Sequence, residues 1–294
     1  MKSFLLIFIL ISAVSCKNDS IEKDHIEQDT PNILEAEAEA EDSLYSSNIF
    51  NELQDEKIKI KQEKLINQTD DREDLNFQVI DQHYFKDEDL FIIDFHYPLL
   101  NENNNQTFVN FNKYITDYYV NVTGTEAGIL EDKELICDTL RINRFKEKRF
   151  INYKVYNIND RLLSILFYKE NYYARTLNPT YSFDCVNFDM NHGVFMKYED
   201  FFLFGSEEEI RGIINEIIRK SIIQGDLYFD CWEVSEEDFL KYKSNFVLNG
   251  TNIEFYFDDC VMCPSYTGSY SIEVPLTDLL SVLKRFGIDQ EEYH

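Results

Sequence analysis

The sequence predicts an α+β fold in which an antiparallel sheet carries two to four packed helices, preceded by an acidic tether. Three observations predict this class. The chain has 294 residues, of which 44% are hydrophobic, and this is ample for a packed core. Short β-branched and aromatic runs alternate with a few amphipathic segments. Only 4 of the 44 aromatic residues precede residue 77, so the rings that fill a core belong to the rest of the chain.

The first fifteen residues have the pattern of a signal peptide. Met1-Lys2 is followed by an apolar run over 4–11 and by the small residues Ala13-Val14-Ser15, after which comes Cys16. A cysteine at this place makes the segment similar to a bacterial lipoprotein signal, in which that cysteine is lipidated and begins the mature chain. The alternative is an ordinary secretory signal with a chance cysteine. We expect lipid on Cys16 and an extracytoplasmic place in the bacterial cell envelope.

Residues 16–76 have the composition of an acidic tether. The segment 17–44 is rich in Ala and Glu and has no apolar stripe to bury. No later apolar segment is long enough to span a bilayer, so we expect membrane attachment only through the lipid. The remainder is divided into an N-terminal α+β part, 77–190, and a C-terminal part, 191–294.

The strands are predicted from short runs of β-branched and aromatic residues that end at turn residues. These runs cover 89–97, 135–143, 150–158, 162–168, 180–190 and 269–274. Pro98 ends the first run, and Asn191-His192-Gly193 follows the fifth as a turn. Asn249-Gly250 between 246–248 and 253–257 predicts a hairpin, because this dipeptide favours tight turns.

The helices are predicted from apolar residues spaced three to four apart. This spacing marks 105–119 and, most clearly, an isoleucine-rich segment over 206–224. Ser206 and Glu209 have the spacing of a capping box, and Gly225 is placed to end the helix. A shorter helix is predicted to open at Ser235, and a closing helix is predicted over 277–286.

The net charge of −27 excludes several classes of function. Nucleic acids and anionic membrane surfaces both repel a chain with a pI near 4.4, so we expect no nucleic-acid partner. A cationic partner would be attracted. The alternative is that the acidity only keeps an exported protein soluble.

Five cysteines remain if Cys16 carries lipid, and an exported compartment permits disulfides among them. They are Cys137, Cys185, Cys231, Cys260 and Cys263. Which of them pair cannot be read from the sequence. Cys260-Val261-Met262-Cys263 also has the spacing of a redox pair, although a redox cysteine is expected at a helix N-terminus. Zinc would need two further ligands, for which Cys231 and Cys185 are the candidates.

The motifs of the common enzyme classes are missing from the sequence. The five histidines show no His-Glu-x-x-His spacing, no serine lies in a Gly-x-Ser-x-Gly elbow, and no glycine-rich phosphate loop is present. We therefore expect no catalytic residues, no cofactor and no bound metal.

The order of elements in the last third resembles the C-terminal domain of the RsiV-like family. The resemblance rests on the segment 194–202, the isoleucine-rich helix, the hairpin around Asn249-Gly250, the loop 264–268 and the Val274-Pro275 strand end. Tyr97-Pro98 and the helix after it resemble the smaller companion domain of that family. Together these segments extend the resemblance over about residues 77–286.

Members of the RsiV-like family lie outside the membrane and include a lysozyme-binding anti-sigma-factor ectodomain and the N-terminal region of a peptidoglycan deacetylase. The resemblance implies a binding module, with Pro264, Tyr266 and Gly268 matching the loop that contacts lysozyme. We therefore predict a non-enzymatic, lipid-anchored binding protein whose ligand is a cationic lysozyme-like protein or cell-wall glycan. An exported enzyme using an acidic cleft or the paired cysteines is the main alternative, and a structural lipoprotein is another.

Overall fold

A computed structural model describes residues 78–134, 146–159, 161–173 and 180–284, together with five positions between 59 and 70. The predicted signal peptide, Cys16, nearly all of the tether, Cys137 and the strand predicted at 135–143 lie outside the described residues. The predicted α+β class is confirmed, with two sheets in place of one. Within the described part, no helix is both long and apolar enough to cross a membrane.

A six-stranded sheet forms the first region, with its strands in chain order from one edge to the other. The strands are β1 Val79–Asp87, β2 Phe91–Leu100, β3 Glu147–Asn159, β4 Leu162–Tyr172, β5 Thr180–Asp189 and β6 Val194–Met196. All neighbours are antiparallel except β2 and β3. Because a parallel pair needs a crossover connection, the helices of this region fall between β2 and β3.

Those helices cover one face of the sheet. Helix α1, Phe108–Tyr114, continues into a π-helical turn, Ile115–Val120, and α2 follows over Val122–Glu134. The predicted amphipathic segment is confirmed, since Phe111 and Ile115 are fully buried. The Phe111 ring lies 5.1 Å from the Phe188 ring of β5 in an edge arrangement, which anchors the helix to the sheet.

The second region pairs a three-stranded antiparallel sheet with three helices. Its strands are β7 Phe246–Leu248, β8 Asn252–Tyr256 and β9 Ser271–Pro275, and its helices are α3 Tyr198–Phe201, α4 Glu207–Gln224 and α5 Glu236–Tyr242. The predicted hairpin and long helix are confirmed. In α4 the side chains of Ile210, Ile214 and Ile218 are fully buried, and Gly225 ends the helix in the left-handed conformation.

Polar side chains join the two regions. Asn187 Nδ2 of β5 donates to the Phe246 carbonyl at 2.8 Å, and the Leu248 amide donates to Ser164 Oγ at 3.1 Å. Around these bonds lies a shared aromatic cluster that includes Phe183 and Tyr256. Because every one of these groups is buried, the two sheets share a buried contact.

Two local predictions about helix ends are wrong. Ser206 makes no capping bond: its hydroxyl donates to the Leu203 carbonyl at 2.6 Å and contacts the Tyr198 hydroxyl. The closing helix over 277–286 is replaced by a 3₁₀ turn, Leu276–Leu279. A longer helix does not form because the backbone after this turn bonds to the end of α3 and to the residues that follow it. The Leu203 amide donates to the Val282 carbonyl, and the Lys284 amide donates to the Phe201 carbonyl.

The strand predicted over 89–97 corresponds to β2, which continues to Leu100 and pairs with a strand on each side. Pro98 lies inside β2 and does not end it. Among the described residues β3 pairs only with Phe91–Phe95, so no described strand needs the amide that proline lacks on that side of the far end of β2. Strand β1, which the sequence did not predict, pairs with β2 along its whole length.

Candidate functional site

Two loops of the second region are joined covalently. The first, residues 225–235, connects α4 to α5, and the second, residues 257–270, connects β8 to β9. A disulfide links Cys231 of the first to Cys263 of the second. Beside it the Trp232 amide donates to the Met262 carbonyl at 2.8 Å. Both sulfurs belong to buried residues, so the joint is part of the core and the loops cannot separate without breaking it.

A buried asparagine holds the base of the first loop. Asn215 of α4 accepts the Val234 amide at 2.8 Å and donates to the Val234 carbonyl at 3.1 Å. Both residues are almost fully buried. Two bonds from one side chain satisfy both backbone polar groups of Val234, so the end of the loop is held against α4 at a fixed place.

The second loop contains the residues that the resemblance assigned to partner binding. Pro264 precedes a 3₁₀ turn, Ser265–Thr267, whose last residue bonds back to the Pro264 carbonyl through both its amide and its hydroxyl. Gly268 follows with φ of +70°. Glycine adopts this left-handed conformation without the strain that a side chain would bring, so the sharp exit of the loop depends on it.

Four aromatic side chains of these loops are exposed, and we call them the aromatic surface. They are Tyr228, Phe229, Trp232 and Tyr266. Phe229 is 87% exposed and Tyr266 is 55% exposed. The rings of Tyr228 and Tyr266, one from each loop, lie 6.3 Å apart in an edge arrangement. Large rings are normally buried, so we take the exposed rings on these two cross-linked loops as the candidate functional site.

The same two loops are strongly acidic. Between residues 225 and 235 and between residues 257 and 270 there is no lysine or arginine. The carboxylates are Asp226, Asp230, Glu233, Asp258 and Asp259. Glu233 pairs with Arg219 at 3.4 Å, and Asp258 accepts the Tyr242 hydroxyl at 2.6 Å. Oδ1 of Asp230 is buried and has no hydrogen-bond partner among the described residues.

The cysteines do not form the pair that their spacing suggested. Cys263 is bonded to Cys231, and Cys260 is exposed and free. A disulfide leaves neither Cys231 nor Cys263 as a thiolate for redox attack or for zinc. Cys185 is free as well, and desolvation raises the pKa of its thiol well above the ordinary value, with Asp184 and Glu254 adding to the effect. It is therefore a protonated, weakly reactive thiol.

Tyr266, Pro264 and Gly268 were identified through the resemblance, whereas Tyr228, Phe229 and Trp232 were not. The sequence feature that could have identified them is their position: three aromatic residues lie between the glycine that ends one helix and the start of the next, outside any amphipathic pattern that would assign them to the core. The disulfide supplies the missing information, because it brings that segment beside Tyr266.

No family model matches the chain, and no curated protein matches it. Among solved structures, a DUF3298 family protein from Bacteroides fragilis is 16% identical, covers 70% of this chain and 94% of its own, and has a TM-score of 0.49. A DUF3298 family protein from Pseudomonas aeruginosa is 9% identical, covers 71% and 94%, and has the same TM-score. A likeness of this size assigns no activity to this chain, and the resemblance to the RsiV-like family stays a prediction.

Proposed function

We propose that this chain is a non-enzymatic, lipid-anchored extracytoplasmic protein whose aromatic surface binds a cationic, lysozyme-like cell-wall hydrolase. The observation that carries the proposal is the exposure of Tyr228, Phe229, Trp232 and Tyr266 on two loops joined by a disulfide. Tyr and Trp are the residues most often found at the energetic centre of protein interfaces.

The construction of the loops supports binding through a preformed surface. The Cys231–Cys263 disulfide, the Asn215 clamp and the turn before Gly268 all fix backbone that would otherwise have to be ordered on binding. Ordering costs free energy, so a surface that is already held in place retains more of its contact energy as affinity.

The charge of the loops supports a cationic partner. Neither loop contains a lysine or an arginine, and the one ion pair described above joins Glu233 to Arg219 of α4. Complementary charge mainly speeds the encounter and selects the partner, while the rings contribute most of the affinity. Cell-wall glycan is a second candidate, favoured by the flat faces of the exposed rings, which suit the apolar faces of sugars. The reading as an exported enzyme has no comparable support in these loops.

The test compares Tyr266→Ala with Tyr118→Ala. Tyr118 is a matched control because it is 72% exposed and lies on the π-helical turn of the first region. Binding of the full chain in detergent to lysozymes of several types would be measured by calorimetry, with a parallel pull-down on purified peptidoglycan. We expect Tyr266→Ala to weaken binding about 5- to 150-fold, as for an ordinary interface anchor, and Tyr118→Ala to leave it unchanged.

The salt dependence of binding distinguishes a specific site from non-specific electrostatic attraction. The association rate should fall as ionic strength rises, while a measurable affinity remains at about 0.15 M salt, because the rings are not screened. Absence of binding to every lysozyme at high micromolar concentration would overturn the hydrolase partner. Retention on peptidoglycan alone, sensitive to Tyr266→Ala, would favour glycan.

A further inference from the structure

A second group of chemically active side chains lies on the first region, on the hairpin of β1 and β2. The register of this hairpin places His83 directly opposite His96. Their imidazole rings are stacked, with centroids 3.9 Å apart and planes 10° from parallel. Asp94 lies two positions before His96 on β2 and so projects from the same side of the strand. We call His83, Asp94 and His96 the histidine cluster.

The donor atoms of the histidine cluster converge. Oδ1 of Asp94 lies 2.8 Å from Nε2 of His83 and 3.6 Å from Nε2 of His96. One ligand atom from each residue lies within 4.8 Å of the other two. Zinc bonds of about 2.0–2.1 Å in a tetrahedral site place ligand atoms about 3.3 Å apart. Each imidazole lone pair lies in its own ring plane, so one ion can bind both histidines only after the stacked rings rotate out of their parallel arrangement.

A second carboxylate lies behind one of the histidines. Oδ2 of Asp81 is 4.0 Å from Nδ1 of His96, the ring nitrogen on the far side from Asp94. Asp81 is itself held by the Tyr153 hydroxyl, which donates to its Oδ1 at 2.7 Å. Histidines that bind metals commonly donate their other ring N–H to a carboxylate, which fixes the tautomer and the ring orientation. The separation of 4.0 Å is longer than a hydrogen bond, so Asp81 takes that role only after its carboxylate moves closer to Nδ1 of His96.

We propose that His83, Asp94 and His96 bind a divalent first-row transition metal such as Zn²⁺, with Asp81 as a positioning residue for His96. Imidazole and carboxylate donors suit Zn²⁺ and its neighbours better than Ca²⁺ or Mg²⁺. Three protein ligands leave a fourth position for water. The side chains are one third to one half exposed, so an ion reaches them from solvent, and the net charge of −27 favours its approach.

The site differs from an ordinary histidine–aspartate ion pair in its third donor. An ion pair would require only His83 and Asp94, whereas here a second imidazole is stacked on the first, and its Nε2 lies 3.6 Å from the same carboxylate oxygen. The proposal is independent of the proposed function, because the histidine cluster is built on β1 and β2 and the aromatic surface on the loops after α4 and β8.

The test is a titration of the full chain with ZnCl₂, in detergent, after treatment with EDTA and without a histidine tag. Calorimetry would give the affinity, and Co²⁺ in place of Zn²⁺ would report low-coordinate imidazole ligation by visible absorption. We expect one equivalent to bind to the wild type. His83→Ala and His96→Ala should each weaken binding more than about 100-fold, and Asp81→Asn should weaken it about 10-fold.

His192→Ala is the matched control, since His192 is exposed and also pairs with a carboxylate, Asp189, at 2.9 Å. It should leave the affinity unchanged. Zinc should also raise the unfolding temperature of the wild type and not that of His83→Ala. If either alanine variant fails to fold, His83→Asn and His96→Gln replace it.

Two results would overturn the metal site. One is the absence of Zn²⁺ binding up to about 1 mM. The other is binding that His83→Ala and His96→Ala leave intact, which would assign the ions to the acidic surface at large.

Discussion

The histidine cluster and the aromatic surface are built by different means. The histidines lie on paired strands, where nine consecutive cross-strand pairs between β1 and β2 fix the backbone position of each residue. The aromatic residues lie on loops that have no such ladder and depend on one disulfide, one asparagine and one tight turn. A ladder positions atoms finely enough for metal ligands, whereas cross-linked loops can present large rings to a partner.

This difference implies that the two regions respond to different perturbations. The first region contains Asp189, a carboxyl group whose pKa lies below its ordinary value, so part of the stability of this region depends on pH. The second depends on a covalent bond that forms only under oxidising conditions. The following variants separate the two dependences, from the largest expected effect to the smallest.

Removing the disulfide should have the largest effect and should be confined to the second region. The bond joins cysteines 32 positions apart, and a loop of this size corresponds to roughly 3–4 kcal/mol of unfolding free energy. We expect the double variant Cys231→Ala/Cys263→Ala to lose about this much in denaturant unfolding. Zinc affinity at the histidine cluster should stay unchanged.

Cys260→Ser is the control for that variant, because Cys260 is exposed and unbonded. It should change stability by no more than about 0.5 kcal/mol. An equal loss in Cys260→Ser would mean that Cys260 takes part in the pairing, and the assignment of the Cys231–Cys263 bond would be wrong.

Breaking the asparagine clamp should have an intermediate effect. Asn215→Ala leaves the buried amide and carbonyl of Val234 without partners, which should cost about 1–3 kcal/mol. Hydrogen exchange at the Val234 amide should accelerate strongly. Asn252→Ala is the matched control, since the side-chain amide of Asn252 makes an exposed hydrogen bond to Glu273. Hydrogen exchange at the Val234 amide should be the same in this variant as in the wild type.

The smallest loss of stability is expected for a substitution of Asp189 in the first region, and its size should depend on pH. Burial raises the pKa of Asp189, but hydrogen bonds from His192 and Arg161 outweigh it and leave that pKa below the ordinary value. A carboxyl group with a lowered pKa stabilises the fold above its unfolded pKa of about 3.9 and loses that contribution as the pH falls through the folded value. Asp189→Asn should cost about 1–2 kcal/mol at neutral pH and flatten the decline between about pH 5 and pH 2.

Asp278→Asn provides the comparison, since Asp278 is exposed on the 3₁₀ turn of the second region. Its stability profile against pH should follow that of the wild type. If Asp189→Asn shows the same acid decline as the wild type, other carboxylates govern acid unfolding.

The parts of the fold that the sequence predicted are those governed by local pattern. The isoleucine stripe of α4 and the Asn249-Gly250 hairpin each depend on residues close in the chain. Strand β1 was missed because its outer face carries Asp81, His83 and other polar residues, which dilute the strand pattern. The prediction of a closing helix was wrong because the backbone of Val282 and Lys284 forms hydrogen bonds with Leu203 and Phe201, which are distant in the chain.

The candidate sites depended still more on distant contacts. His83 and His96 become neighbours only through the register of a hairpin whose first strand was not predicted. The partner of Cys263 could not be read from the spacing of the cysteines, and neighbouring Cys260 was the more obvious choice. Tyr266 was named through resemblance, but the rings that join it were visible only once the Cys231–Cys263 bond was known.

The parallel pairing of β2 with β3 has a consequence for the order in which the chain folds. Strands β7 and β8 meet through the tight turn 249–251, and β9 follows after the loop 257–270, so their contacts form early in a search that starts from neighbours in sequence. Phe95 and Ile151, by contrast, come together only after about fifty-five intervening positions have been closed into a loop. The β1–β2 hairpin therefore joins the growing sheet late, and a nascent chain halted before β3 would present that hairpin without its neighbour.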